Sequence, residues 1–473
     1  MKLYAQFLFA VFQALCLLSC TVGPDFESPD SLAVKNYASN EHMFGDQLVV
    51  VDKKLARDWW KDFHSNALNH LMTQGIKHNY SLAAMRESLA KAEAMVSASQ
   101  GQLWPQATIN GSSGKQQYGP ATFGPVNLRI EPFAYYQIGP SASYTLDLFG
   151  GTRRTIEKQK ALALYQQYGL EAAFLTLTGN IATTSIMLAT LDAKIAVLHE
   201  IIKDDRKNLA LIRKSFEVGS STRSNVLSAQ TQLTKDETLL PPLYQQRSVV
   251  RHTLNILLGT AHKNHLPVRC RLDDFNLPKT LPLEVPSALA HKRPDILSSE
   301  ATLRAASAEI GIATARLYPN FTLSATLLRE GIIPGSIFGI SPNAWSLVSN
   351  VAGPLFSGGA LRAQRRAAVH NYQAALANYQ EIVLKAFYQV SDLLSALKQD
   401  AAECTLQKRA LATARKSLDI ARVSFGAGVV SDLEVLDAQR SYAQARLSEV
   451  NATAQRYQDT IQLYLALGGG IHP

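Results

Sequence analysis

Few residues of this chain have the types and spacing that bond-making chemistry requires. His262 and His265 stand three apart beside Lys263 and Asn264, but no carboxylate or cysteine lies at ligand spacing, so they read as loop residues and no metal is expected. Gly114 and Lys115 lack the upstream glycine and the following helix of a phosphate loop, no serine sits in a nucleophile elbow, and no helix carries the two-His-and-Glu zinc pattern. The chain therefore reads as a protein without catalysis or cofactor. Cys270 and Cys404 fall in no two-cysteine redox or metal spacing; they read as a loop thiol and a buried thiol, and whether they are bridged stays open.

One cysteine does sit in a chemical context. Met1 and Lys2 open a stretch from Leu3 to Leu18 that is apolar except for Gln6 and Gln13, which has the charge order and length of a secretory signal. It ends in Leu17, Leu18, Ser19 and Cys20, and so resembles the lipobox of bacterial lipoproteins. That resemblance implies removal of residues 1–19, acylation of Cys20 and, with Thr21 rather than an aspartate following, sorting to the outer membrane. Acyl chains would hold the protein to one leaflet without spanning it.

The elements that must position everything else follow from composition and periodicity. Hydrophobic residues make up 47% of the 473 and charged ones 18%, which excludes a disordered acidic tail. The net charge of +9 is scattered rather than massed, so nucleic acid is not an expected partner. Past residue 20 no run of about 18 continuous apolar residues appears, so any membrane passage falls to strands.

Two halves recur in order. Arg213, Ser215, Phe216 and Gly219 match Arg422, Ser424, Phe425 and Gly428 at an offset of 209, as Val226, Leu227, Ala229 and Gln230 match Val435, Leu436, Ala438 and Gln439. Trp104-Pro105 corresponds to Tyr318-Pro319 at 214, and such a small drift is what a tandem duplication leaves. Each half predicts helix, two strands, long helix, turn and helix. No proline interrupts Thr152 to Val218, and neither glycine nor proline interrupts Ala360 to Phe425, so each run predicts a helix roughly 100 Å long. Ile181, Leu188, Leu191, Ile195, Leu198, Ile202, Leu209, Ile212 and Phe216 form a coiled-coil seam, and Val390, Leu397, Cys404, Leu411, Leu418 and Phe425 repeat every seven residues in the second half. Both long helices should turn back as antiparallel hairpins, the first interrupted at Pro241 and Pro242.

The strands carry the membrane argument. Residues 134–148 put Tyr136, Ile138, Tyr144 and Leu146 on one face and Gln137, Ser141, Ser143 and Thr145 on the other. Asn320 to Leu328 alternates likewise, Asn343 to Leu355 keeps Trp345, Leu347, Val351 and Leu355 together, and residues 108–118 are a fainter fourth strand. Strands of roughly 9 to 11 residues cross a bilayer. Four strands are too few to close a barrel, since the smallest have about eight and open edges in lipid leave backbone groups unpaired. Two copies would give a filled barrel of eight strands, and three a barrel of twelve with a lumen.

Together these residues resemble the outer membrane factors of bacterial efflux and type I secretion systems, the TolC and OprM family, in its lipoprotein branch. The likeness rests on the lipobox followed by Gly23, Pro24, Asp25 and Phe26, on Asp58, Trp59 and Trp60, on Arg293, Pro294 and Asp295 with Tyr318-Pro319, and on the paired R-x-S-F-x-x-G turns. It implies a mainly α fold with a membrane β-barrel portion. Three chains would supply four strands each to a twelve-stranded barrel in the outer membrane, continuing into a periplasmic α-barrel of coiled-coil hairpins. The expected organisation is a signal peptide at 1–19, a lipidated extended segment at 20–50, a first repeat at 51–265 and a linker with the second repeat at 266–473. Strands are expected near 106–118, 134–148, 320–331 and 343–355, and periplasmic hairpins near 152–259 and 360–467.

The implied function is the exit duct of a tripartite efflux system. It would pass drugs or toxic compounds from an inner-membrane pump and a periplasmic adaptor to the exterior. The family closes its periplasmic end just past the helical turn, and the matching residues here are Leu433, Asp437 and Arg440, whose i, i+4 and i+7 spacing shares one helix face. Three copies would stack an apolar, an acidic and a basic ring; the plainer alternative is a solvated Asp437–Arg440 pair. Adaptor docking falls to the turns carrying Arg213, Phe216, Gly219, Arg422, Phe425 and Gly428. Type I protein secretion shares this duct, and a coiled-coil adhesin or periplasmic scaffold is the alternative of another class.

Overall fold

Where proline is absent the helices run unbroken, and where apolar residues alternate the chain forms strands. A computed structural model describes residues 21–29, 43–51, 55–119, 130–261, 270–283, 292–338 and 343–470. In chain order the elements are β1 (Met43–Phe44), β2 (Gln47–Val51), α1 (Asn66–His78), α2 (Tyr80–Gly101), β3 (Gln106–Gln116), β4 (Phe133–Leu146) and α3 (Gly151–Glu217). Then follow α4 (Arg223–Glu237), α5 (Leu240–Leu257), β5 (Thr280–Leu283), α6 (Pro294–Ala315), β6 (Asn320–Gly331), β7 (Asn343–Ala352), α7 (Ala360–Gly426) and α8 (Asp432–Ala466). Both long helices, α3 and α7, contain 67 residues. The returning helix of the first hairpin is split into α4 and α5, with the proline pair opening α5, where a missing N–H costs nothing. Its counterpart α8 runs 35 residues without a break.

The chain divides into two compact units, each drawing on both sequence halves. The first takes in residues 89–166 and 299–379 with the N-terminal segment. It holds an antiparallel sheet in the order β3-β4-β6-β7. Residues paired directly across antiparallel strands share a face. The register sets Tyr144 opposite Leu323, Leu146 opposite Phe321, Phe321 opposite Val351, Ala325 opposite Leu347 and Leu327 opposite Trp345, so the separate apolar alternations merge into one surface. Trp345 and Leu347 on it are 74% and 73% exposed. The other face is hydroxylated. Thr108 Oγ1 meets Ser141 Oγ at 2.8 Å, Asn110 Nδ2 donates to Ser141 Oγ at 2.7 Å, and Thr326 Oγ1 meets Ser346 Oγ at 2.7 Å. Between the rungs Ile138–Arg329 and Ser141–Thr326 lie Gly139 and Pro140. Proline has no donor for the ladder, and a Cβ on Gly139 would stand 1.9 Å from the Leu327 carbonyl oxygen.

Three strand ends fall short of the expected bounds. β3 stops at Gln116, β4 at Leu146 and β7 at Ala352, which leaves Leu148 and Leu355 outside the sheet. After β4 the cause is Asp147, whose two carboxylate oxygens accept the Thr152 and Arg153 backbone N–H groups at 2.9 Å and so start α3.

The second unit takes in residues 30–88, 167–298 and 380–473. It contains a small sheet, β1-β2-β5, absent from the sequence expectation. β2 pairs antiparallel with β1 and parallel with β5. Buried Arg456 of α8 ties it down, donating to the Phe44 carbonyl and to Gln47 Oε1, both at 3.1 Å, and pairing with Asp46. The Asp58-Trp59-Trp60 motif is a packing device: Trp59 is fully buried and stacks on Tyr464 at 5.5 Å, while Tyr464 Oη donates to Asp62 at 2.8 Å. α3 also holds a stretch that is apolar enough on average to cross a membrane, although Thr, Ser, Gly and Asn interrupt it and no continuous apolar run of that length occurs. Most of it is buried. Its hydroxyls are satisfied within the helix, Ser185 by the Ile181 carbonyl and Thr190 by that of Ile186, and its burial against neighbouring helices makes it core.

Arg293 joins three helices of this unit. Its guanidinium grips Asp295 bidentately at 3.0 and 2.7 Å, while Nη1 donates to Gln389 Oε1 on α7 and to the Ala466 carbonyl closing α8. Asp295 in turn accepts the Ile296 N–H at the start of α6. Truncation leaves a buried carbonyl without its donor, so Arg293→Ala should cost about 2–3 kcal/mol, with Arg293→Lys recovering only part because lysine lacks the fork. Thermal melting followed by circular dichroism checks this; an unchanged midpoint for the alanine variant contradicts it.

Candidate functional site

The two long helices end in the same way. At the close of α3, Ser220 N–H bonds the Ser215 carbonyl at 2.8 Å and Gly219 N–H that of Phe216 at 3.0 Å. At the close of α7, Val429 N–H bonds Ser424 and Gly428 N–H bonds Phe425, both at 2.9 Å. Each is a Schellman closure, and its left-handed residue is the expected glycine, Gly219 at φ 80° and Gly428 at φ 73°. The turns thus follow from their sequence.

Packing fixes what flanks them. Leu198, Ile202, Leu209 and Ile212 of α3, Ala229 and Leu233 of α4, and Leu436 of α8 share one core cluster. The predicted seam residues from Ile181 to Ile212 are all buried, whereas Phe216 at the end is exposed. The turn arginines differ: Arg213 donates to Gln230 Oε1 at 2.7 Å within its own hairpin, and Arg422 pairs with Asp204 of α3 at 2.9 Å. Phe425 is half-buried, and Val218, Val423 and Val429 surround the turns with exposed apolar surface.

Leu433 and Asp437 lie one turn apart on the exposed side of α8, and Leu433 is 62% exposed. Asp437 has no hydrogen-bond or ion-pair partner among the described residues. Arg440 turns instead to α4, where its Nε donates to Gln232 Oε1 at 2.7 Å. The solvated Asp437–Arg440 pair weighed as the plainer reading does not form.

Behind Arg440 lies a cavity of about 360 Å³, lined by residues of α3, α4, α7 and α8 including Asp204, Asp205, Gln232, Asp236, Arg422 and Arg440. Gln232 Nε2 donates to Asp236 Oδ2 at 2.8 Å. Asp205 is buried facing Asp236, and burial first, then the shared hydrogen bond and charge of Asp236, pushes its carboxyl up to about 7, with Arg440 opposing. Sequence reading missed this pair, because only tertiary packing brings the two aspartates together. It missed Asp432 also. That buried carboxylate accepts Ser221 Oγ at 2.8 Å and Asn225 Nδ2 at 3.4 Å, binding one turn to the other. The signal available was a charge mismatch, since Asp432 stands where the first half has Arg223.

Both later cysteines are buried free thiols. Cys404 donates to the Ala452 carbonyl at 3.2 Å, and burial raises the Cys270 thiol to about 11, which keeps it protonated. Cys20, His262 and His265 lie outside the described residues.

The family model described as outer membrane efflux protein matches residues 71–260 and 285–469. The chain belongs to this family. The cation efflux system protein CusC of Escherichia coli K12 is 25% identical to it over 458 residues, covering 97% of this chain and 98% of the relative. The solvent efflux pump outer membrane protein SrpC of Pseudomonas putida is 27% identical over 466 residues, 97% of each. Among solved structures, the outer-membrane channel OprN superposes with a TM-score of 0.88 at 25% identity over 95% of this chain and 99% of its own. The open state of Neisseria gonorrhoeae MtrE gives 0.83 at 22% identity, covering 95% and 98%, a likeness of fold. This outer membrane efflux protein is thus an outer-membrane channel of an efflux system that extends into the periplasm, and the adhesin reading is set aside.

The Asp205 pair carries a pH signature. A carboxyl whose folded pKa lies above its unfolded value favours the folded state fully below the unfolded pKa, and that contribution is lost as pH rises toward the folded value of about 7. Stability should therefore fall between about pH 4 and 7 by an amount of order a few kcal/mol. Asp205→Asn, whose amide can donate to Asp236 at any pH, should flatten that slope. Melting curves between pH 5 and 8 read the difference; parallel curves for the two proteins contradict the shared proton.

Proposed function

We propose that this protein is the exit duct of a tripartite efflux system. Three copies join their sheets into a twelve-stranded barrel, and their helical hairpins form a periplasmic tube that meets an adaptor and an inner-membrane pump. The observation that carries this reading is the sheet itself. It has an exposed apolar face, a hydroxylated face behind it, and outer edges on β3 and β7 that no described strand covers. In lipid such edges must be paired, and twelve strands leave a lumen that eight would fill. A tandem origin is supported by the two 67-residue helices and their matching Schellman closures.

The exposed apolar turns suit an adaptor, with Phe216, Gly219, Phe425 and Gly428 as the docking surface and Arg213 and Arg422 bracing it through Gln230 and Asp204. Leu433, Asp437 and Arg440 form the gate. Unpartnered Asp437 supplies an acidic ring when three copies converge, and Arg440 holds that helix to α4 through Gln232. Cys20 carries the lipid anchor. The relatives named for cation and solvent efflux favour small-molecule cargo over secreted protein.

Planar-bilayer recording tests the duct and the gate together. The native protein should conduct in small steps, and Asp437→Ala with Arg440→Ala should raise the single-channel conductance several-fold. Unchanged conductance removes the gate from these residues, and silence from the native protein and the variant alike removes the duct.

A further inference from the structure

At the foot of the sheet lies a cavity of about 630 Å³ whose apolar wall is Leu146, Leu148, Phe149, Ile312, Tyr318 and Leu361. The Phe149 and Tyr318 rings stack on each other in that wall with centroids 4.6 Å apart. Arg316 stands at its polar rim with no side-chain hydrogen bond or ion pair among the described residues. Neither the gate nor the docking turns use this space.

The chain's own N-terminus is delivered to the same place. Val22 N–H bonds the Phe149 carbonyl at 3.1 Å, and a Cβ on Gly150 would stand 2.7 Å from Thr21 Cγ2 and 2.9 Å from Thr21 Cα. Arg154, its side chain 5% exposed, donates to the Val22 carbonyl at 3.3 Å, the Gly23 carbonyl at 3.2 Å and Asp25 Oδ1 at 2.8 Å. Gly23 admits no side chain, since a Cβ there would lie 2.5 Å from Gly311 Cα. Further along, Phe26 lies under the Arg304 guanidinium at 5.0 Å and Ser28 Oγ donates to Glu300 at 2.6 Å. This degree of fixing exceeds what a passive tether between an anchor and a folded body requires. Thr21, the first described residue of this segment, is thus packed on Gly150, whose neighbours Phe149 and Gly151 both line the cavity.

We infer that this cavity is the seat of an acyl chain carried by Cys20. The apolar wall takes the hydrocarbon, the Arg316 guanidinium takes ester oxygens at the rim, and Arg154 is the positioning residue that aims the segment at the seat. The anchor then belongs to the fold of the first compact unit rather than trailing from it. The inference rests on the lipid-anchor reading of Cys20.

Cells fed a fatty acid bearing a diazirine and an alkyne supply the test. After irradiation of the full-length protein purified in detergent, mass spectrometry should place most intrachain crosslinks at residues 146–149, 312–318 and 361. Leu361→Trp, which fills the seat but leaves Cys20 intact, should reduce those crosslinks several-fold while the N-terminal peptide keeps its acyl mass. Crosslinks confined to membrane lipid or to Trp345 and Leu347 overturn the seat, as do seat crosslinks that persist in Cys20→Ala, which would mark a free lipid as the occupant. An N-terminal peptide with no acyl mass overturns the anchor reading itself and is distinguishable from the other failures.

Discussion

Unpaired backbone groups are intolerable in hydrocarbon, and the sheet of this protein ends in two rows of them. Among the described residues β3 and β7 each bond one neighbouring strand, which leaves an edge on either side of the four. The side chains obey the same constraint. Register brings Leu327 and Trp345 together on one face and Thr326 and Ser346 on the other, and a slip of one residue would invert both. Gly139 and Pro140 protect that register locally, one admitting the Leu327 carbonyl and the other withholding a donor. In the proposed assembly, pairing with further copies is thus a demand of the strands before it is a feature of the tube.

The helical unit answers a different problem, the cost of buried polar groups along hairpins of great length. Arg293, Arg456 and Asp432 each draw together segments far apart in sequence, and each is buried with its main partners in place. The Asp205–Asp236 pair departs from that rule by holding a proton where two carboxylates would repel. Arg440 reaches it through Gln232, so the residue proposed for the gate is tied to a titrating pair. The same helix also places Leu436 in the Leu198 and Ile202 core, so any movement of Arg440 that carries α8 with it must withdraw that side chain.

Much of this was legible in the residues. The absence of proline marked α3 and α7, the proline pair marked the split between α4 and α5, and the R-x-S-F-x-x-G spacing marked both Schellman turns, because each is a local consequence of backbone chemistry. Alternation located β3, β4, β6 and β7, but the end of β4 was set by capping at Asp147, which periodicity does not register. The β1-β2-β5 sheet escaped notice for a physical reason: its strands are two to five residues long and are held by Arg456, some 410 positions from Asp46. The site was legible as a face but not as a network. Spacing put Leu433 and Asp437 together, while the partner of Arg440 was decided by α4 packing against α8.

The central claim is that lateral closure of the sheet requires identical neighbours. Native mass spectrometry of the detergent-extracted protein, joined to cysteine pairs placed on the outer edges of β3 and β7, tests it most directly. The account predicts the mass of three chains and disulfides that link β3 of one chain to β7 of the next. A single chain in detergent, with both edges unlinked, would contradict it.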